Sequence, residues 1–262
     1  MKKNNDDKFF VQSVNRTFEI LDCISKGKGA GKSLTEISKA IQLPVSTAYR
    51  LIQNLVAWNY VTESTDGNYS LGLKLLELGS LVQKNIEIRN LARPFMEQLN
   101  ETTKETIYLA KFDEKDSTLI YIEKMESLRN VTLTAGVGTR NYVHSTANGK
   151  CLLSGFDDEK IRVILKRKGM PPLTGHTLVD IDAFLSDVQK VRQQGYAVDD
   201  EENEVSVRCV AAPIFDYTRR VAASISISGV STNITPEQLR HEYRDLVIKT
   251  AQEISYELGF RD

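Results

Sequence analysis

The chain has 262 residues, 41% hydrophobic and 26% charged, with a formal net charge of −1. That composition is globular with room for two domains, and no apolar run reaches the ~20 residues of a membrane-spanning helix. MKKNNDDKFF lacks the apolar core of a signal peptide, and the three widely spaced cysteines (Cys23, Cys151, Cys209) form neither a disulfide framework nor a zinc-ligand pattern. These features lead us to expect a cytoplasmic protein with no membrane partner, cofactor or metal centre.

Residues 1–10 read as a loose polar tail. From Ser13, the apolar residues Val14, Phe18, Leu21 and Ile24 share one face and predict a first helix. GKGAGKS at 27–33 has the look of a phosphate-binding loop. However, three residues rather than four separate Gly27 from Gly31, and a helix rather than a strand precedes it. It is read as a flexible basic loop.

The next stretch, SLTEISKAIQLPVSTAYRLIQNLVAW at 33–58, organises the N-terminal half. Leu34, Ile37, Ala40 and Ile41 mark one amphipathic helix, and Ser33 with Glu36 makes a capping box at its start. Leu43-Pro44 interrupts the run, because proline disfavours helical backbone in the residue before it. A second run at Val45, Ala48, Leu51, Ile52, Leu55 and Val56 completes a helix-turn-helix. Its other face carries Ser46, Thr47, Tyr49, Arg50, Gln53 and Asn54, all hydrogen-bond donors and none acidic. This is the chemistry that reads phosphates and base edges. YVTESTDGNYSLG at 60–72 then predicts a hairpin turning at Asp66-Gly67. A hairpin directly after a recognition helix is a wing, with Thr65 and Asn68 near its tip. Residues 1–72 hold nine Lys/Arg against seven Asp/Glu, a slight basic excess consistent with DNA contact.

Leu73, Leu75, Leu76, Leu78 and Leu81 continue as a leucine-dense helix, with Gly72 and Gly79 as boundaries. Pairing with a second copy would let one motif read two half-sites, so residues 73–87 are assigned as a linker and dimerisation helix. A second domain, 88–262, opens with helix 88–103, bent or restarted at Pro94. Strands are predicted over 106–112, 118–125 and 129–135. A loop at 136–145 leads to helices at 146–153, 157–167 and 180–194. Strands 207–215 and 221–228 follow, and a helix from Thr235, with Pro236 at its first position, closes the chain. This mixed order predicts an α+β domain with helices packed on a sheet.

Five segments in this order resemble the IclR family of bacterial transcription regulators. They are SVNRTFEIL (13–21), LTEISKAIQLPVSTAYRLIQNLVAWNYV (34–61), YSLGLKLLELG (69–79), VHSTANGKCLLSGF (143–156), and GYAVDDEENEVSVRCVAAPIFD (195–216) with ASISISG (223–229). The resemblance spans about Val11 to Leu258. It implies a winged helix-turn-helix DNA-binding domain, a dimerising linker helix and a GAF-like effector domain. It further implies a homodimer or tetramer on double-stranded operator DNA, controlled by a small organic acid. Carried over, the effector positions are Ala147, Asn148, Asp199, Cys209, Ser226 and Ser228. Asn148 departs from the small residue expected there and favours a hydroxylated, sugar-derived acid, alongside keto and aromatic acids.

The residues point the same way by themselves. A helix starting at Thr146-Ala147-Asn148-Gly149 presents backbone N–H groups to a carboxylate, and Ser224, Ser226 and Ser228 share one strand face. Asp199 alone reads as a solvated charge. An enzyme reading would need Cys209 beside His144, but a cysteine among Val207, Val210 and Ala211 is ordinary apolar filler, so no catalytic residue is assigned. The competing sensor reading uses Cys151, Cys209 and His144 for metal binding or thiol oxidation.

Overall fold

The computed structural model describes residues 11–27, 31–84 and 87–261. The tail over 1–10, the middle of the basic loop (28–30) and residues 85–86 of the linker segment lie outside them. The chain divides into two compact units, Met1–Asn85 and Ile86–Asp262.

The first unit contains α1 (Gln12–Ser25), β1 (Lys32–Ser33), α2 (Leu34–Ala40), α3 (Val45–Ala57), β2 (Val61–Glu63), β3 (Asn68–Leu71) and α4 (Leu73–Lys84). Ser33 and Glu36 form the predicted capping box, each side chain accepting from the other's backbone N–H. The turn between α2 and α3 puts Gln42 at a left-handed φ of 54°. Ile20, Ile24, Ile37, Ala48, Ile52, Leu55, Val61 and Tyr69 form the core. That core corrects the predicted face of α1. Val14 and Phe18 are exposed and Ile20 is buried, because α1 packs through its C-terminal half on α3 and β3. Val45, expected on the apolar face of α3, is also exposed.

The wing turns as predicted. Gly67 takes φ +75° and donates to the Ser64 carbonyl, while Ser64 N donates to the Asn68 carbonyl. The sheet has a third strand that sequence reading missed: Lys32-Ser33, from the end of the basic loop, pairs with Asn68-Tyr69. Two residues carry too little periodicity to announce a strand. The helix α4 runs through Gly79 instead of stopping there.

The second unit contains α5 (Glu87–Thr103), β4 (Thr106–Asp113), β5 (Thr118–Met125), β6 (Arg140–Asn141), α6 (Ala147–Leu153), α7 (Asp158–Lys168), α8 (Ile181–Gln194), β7 (Ala197–Asp200), β8 (Val207–Phe215), β9 (Val221–Val230), α9 (Pro236–Arg240) and α10 (Glu242–Glu257). The sheet is antiparallel in the order β6-β5-β4-β9-β8-β7. On one face, Ile107, Leu109, Val210, Ala212, Ile225 and Ile227 pack with α5 and α10. On the other, Tyr108, Ala110, Leu119 and Tyr121 pack with α6, α7 and α8. The α5 helix continues through Pro94 as one element. The closing helix is two: α9, capped by Thr235, breaks at His241 (φ −126°, ψ −81°) before α10.

One predicted strand is absent. Residues 129–135 are irregular, because the edge of β5 they would have paired with is taken by Arg140-Asn141 and by the Thr139 carbonyl, which accepts Tyr121 N. Side chains hold the segment instead. Lys124 Nζ donates to the Leu133 carbonyl at 2.7 Å, and the Tyr108 hydroxyl donates to the Ala135 carbonyl at 2.9 Å. An alternating β-branched pattern shows that a strand suits the residues, not that a sheet edge is open to receive it.

Candidate DNA-binding face and effector cavity

The helix α3 buries Ala48, Ile52 and Leu55. Burying these leaves Ser46, Thr47, Tyr49, Arg50 and Asn54 exposed and Gln53 half-buried. Pro44 stands at the N-cap and has no side-chain acceptor, so the first N–H groups of α3 keep their capacity for a phosphate. The six polar residues are not equivalent. Asn54 Nδ2 folds back on the Arg50 carbonyl at 2.7 Å, and Gln53 Nε2 reaches Glu63 at 3.3 Å, where the Tyr69 hydroxyl also donates. Gln53 thus ties α3 to the root of the wing. Thr65 is exposed and Asn68 half-buried on the same hairpin. Trp58 is 73% exposed at the end of α3, a position the sequence does not mark because one aromatic at a helix end carries no pattern.

In the second unit a cavity of about 40 Å³ lies between the sheet and α6. Its walls bring together five of the six predicted effector residues: Ala147 and Asn148 from α6, Asp199 from β7, Cys209 from β8 and Ser228 from β9. Ser226 does not line it. Ser226 accepts from Asn148 Nδ2 at 2.8 Å, while Ser224 Oγ donates to Asn148 Oδ1 at 2.8 Å. Asn148 therefore clasps α6 to β9 and also lines the cavity, and its hydrogen-bonding capacity alone does not specify the first of these roles. The N–H-rich helix start is likewise partly spent, since Thr146 Oγ1 accepts Gly149 N at 3.1 Å.

Several lining residues escaped sequence reading. Tyr108 and Tyr121 stack with centroids 4.2 Å apart. Leu133, Thr134 and Ala135 come from the irregular segment, and Asn141, Asn203 and Glu204 complete the wall. The strands bearing the tyrosines were identified, but periodicity does not say which sheet face meets a cavity.

Asp199 is 1% exposed, not the solvated charge its acidic surroundings suggested. Its Oδ1 accepts Glu202 N at 2.8 Å and Asn203 N at 3.3 Å, which folds the β7–β8 turn around it. Burial, reinforced by the Glu202 carboxylate, pushes its pKa up to about 7. Lys150, also on α6 but not in the cavity wall, commits its ammonium to Asp187 (3.1 Å), the Val198 carbonyl (3.0 Å) and Glu202 (2.6 Å). Burial also pushes both cysteine thiols up, Cys151 and Cys209 alike, which disfavours the reactive thiolate. His144 places Nε2 3.1 Å from the Pro171 carbonyl. Among the described residues no group of His, Cys, Asp and Glu is arranged to hold a metal ion. The thiol or metal sensor is not favoured.

The family profile described as the IclR helix-turn-helix domain matches residues 13–64, and that of the bacterial transcriptional regulator IclR C-terminal matches residues 80–256. The chain is 36% identical over 253 residues to the HTH-type transcriptional regulator KdgR of Dickeya chrysanthemi, covering 96% of this chain and 81% of that protein. The crystal structure of the Thermotoga maritima IclR superposes with a TM-score of 0.76 at 34% identity, covering 95% of this chain and 99% of that one. An IclR homolog from Microbacterium hydrocarbonoxydans, complexed with 4-hydroxybenzoate, shares the fold (TM-score 0.79, 23% identity, covering 94% of this chain and 99% of that one). No helix among the described residues is long and apolar enough to cross a membrane. With both of its halves matched in order, the chain belongs to the IclR family: it is a transcriptional regulator, not an enzyme, with an N-terminal helix-turn-helix DNA-binding domain and a C-terminal effector domain.

Proposed function

We propose that this regulator binds operator DNA as a homo-oligomer and that a small organic acid in the α6–sheet cavity sets its occupancy. The observation that carries the effector half is the convergence of Ala147, Asn148, Asp199, Cys209 and Ser228, from four elements, on one cavity. Its wall suits an oxygenated acid. Hydroxyl, amide and carboxyl groups line one part, and the stacked Tyr108–Tyr121 pair offers an apolar surface to a sugar carbon face or an aromatic ring. The neighbour holding 4-hydroxybenzoate supports this class. At about 40 Å³ the cavity has little more than a water's volume. Binding therefore requires the cavity to widen, and an acid with differential affinity for the widened form shifts the population.

For the DNA half, in this reading Arg50, Gln53, Ser46 and Thr47 enter the major groove, with Tyr49 and the wing residues Thr65 and Asn68 on the backbone. Self-association is supported by two apolar surfaces left exposed in the first unit. Val11, Val14 and Phe18 lie along α1, and Leu73, Leu76 and Leu81 along α4. A thermal-shift screen of the full chain against sugar, keto and aromatic acids tests the effector reading. A stabilising acid whose effect is reduced by Ser228→Ala supports it. A panel in which only zinc or a thiol oxidant shifts the melting temperature rejects it.

A further inference from the structure

The cavity that we read as the acid site has a charge inventory at odds with an anion. Two carboxylates line it, Asp199 and Glu204, and among the described residues no lysine or arginine does. Both nearby lysines are committed elsewhere. Lys150 spends its ammonium on Asp187, the Val198 carbonyl and Glu202. On β5, Lys124 is held by the Leu133 carbonyl and by Glu126 at 2.9 Å. Among the described residues whose charge reaches Asp199, Lys150 is the positive one and is already paired with two carboxylates, while Cys209 on β8, Tyr121 on β5 and Glu202 in its own turn bring no positive charge.

Asp199 differs from Glu204 in its surroundings. It is buried, its Oδ1 is saturated by two backbone N–H groups, and its second oxygen is the part left for a guest. Glu204 is exposed, where water screens it. A carboxylate guest beside an ionised Asp199 would place two like charges in a dry site with no cation between them, and such pairs hold a shared proton.

We infer that the effector cavity takes up a small organic acid together with one proton, carried on the Asp199 carboxyl, whose O–H then donates to the guest carboxylate. The cavity thus recognises the acid with neutral donors: the Asp199 O–H, the Ser228 hydroxyl and the Asn141 amide. It selects monoanions over dianions, because one proton neutralises one charge. The position of Asp199's pKa near 7 makes that proton available around neutrality without making it permanent. The inference rests on the organic-acid reading above.

The test is isothermal titration of the full chain with pyruvate, D-gluconate and 4-hydroxybenzoate, between about pH 6 and about pH 8 in buffers of different ionisation enthalpy. The expected result is uptake of about one proton per acid bound at the upper end. Affinity should weaken roughly tenfold per pH unit above about pH 7. Asp199→Asn keeps an acceptor for the two backbone N–H groups and an N–H for the guest, so it should bind with a flat pH profile, while Glu204→Gln should keep the wild-type slope. Binding without proton uptake overturns the inference and leaves the acid-sensor reading standing. A pH slope that survives in Asp199→Asn overturns the assignment to Asp199. Binding of none of the three acids at about pH 6 sinks both readings.

Discussion

Arg50 and Asp199 show how differently two charged residues declare themselves. Arg50 is legible in the sequence because helical periodicity alone puts it opposite Ala48, Ile52 and Leu55. Replacing it with Ala should weaken operator binding by about 1–3 kcal/mol if it reads a base, seen as a shifted midpoint in a gel-mobility titration with unchanged thermal stability. An unchanged midpoint rejects the role. For Asp199, the resemblance marked its position but not its burial. Its pKa is raised in the folded state to about 7 from 3.8, so the folded protein binds the proton more tightly than the unfolded chain. Stability is then greatest below about pH 4 as far as this group is concerned, and falls as pH rises to about 7. Asp199→Asn should therefore unfold at higher denaturant than wild type at pH about 8, by an amount up to on the order of 4 kcal/mol, with the gap closing toward pH about 4. A gap independent of pH refutes the assignment.

At the scale of elements, the position of α6 decides the cavity. Asn148 clasps it to Ser224 and Ser226, and Thr146 caps it. Gly149 lets it approach so closely that a Cβ there would lie 2.1 Å from the Val143 carbonyl oxygen. Gly149→Ala should cost about 1–3 kcal/mol by overpacking, measured by urea unfolding. Because α6 would back away, effector affinity should fall as well; unaltered stability would show that the backbone relaxes freely. A second device lies in β5. A bulge opposite Leu109-Ala110 lets Ile122 and Glu123 both face α5, while Tyr121 and Lys124 face the cavity side. Glu123 then meets Arg89 at 2.7 Å and Arg93 at 3.4 Å on α5. Strict alternation would have put that carboxylate beside Tyr121 in the cavity wall. No reading of the strand pattern foresees this, since a bulge is a property of the pair of strands.

For the whole molecule, the exposed leucines of α4 and the Val11-Val14-Phe18 stripe of α1 are more apolar surface than a monomer of this composition has reason to show. Leu76→Glu should convert the proposed homo-oligomer to monomer in sedimentation velocity. Operator affinity should drop with it, because a single recognition helix loses the second half-site. A monomeric wild type rejects the proposed oligomer, and an oligomer unaffected by the substitution places the interface elsewhere.

What the sequence by itself determined is local: α2 and α3 with their capping box and proline break, the Asp66-Gly67 hairpin, the longer strands β4, β5, β8 and β9 and most helices of the second unit, and the ordered segments that mark the family. Each follows from contacts a few residues apart, where side-chain period and turn chemistry decide the backbone. Only the tertiary structure decided the rest. Examples are the pairing of Lys32-Ser33 with the wing, the loss of a strand at 129–135 to an edge already filled, and the turn of α1 toward Ile20. The burial of Asp199 in the cavity wall belongs with them. These depend on which neighbour arrives from far along the chain, and a hydrophobic pattern specifies that a face will be buried without naming what buries it.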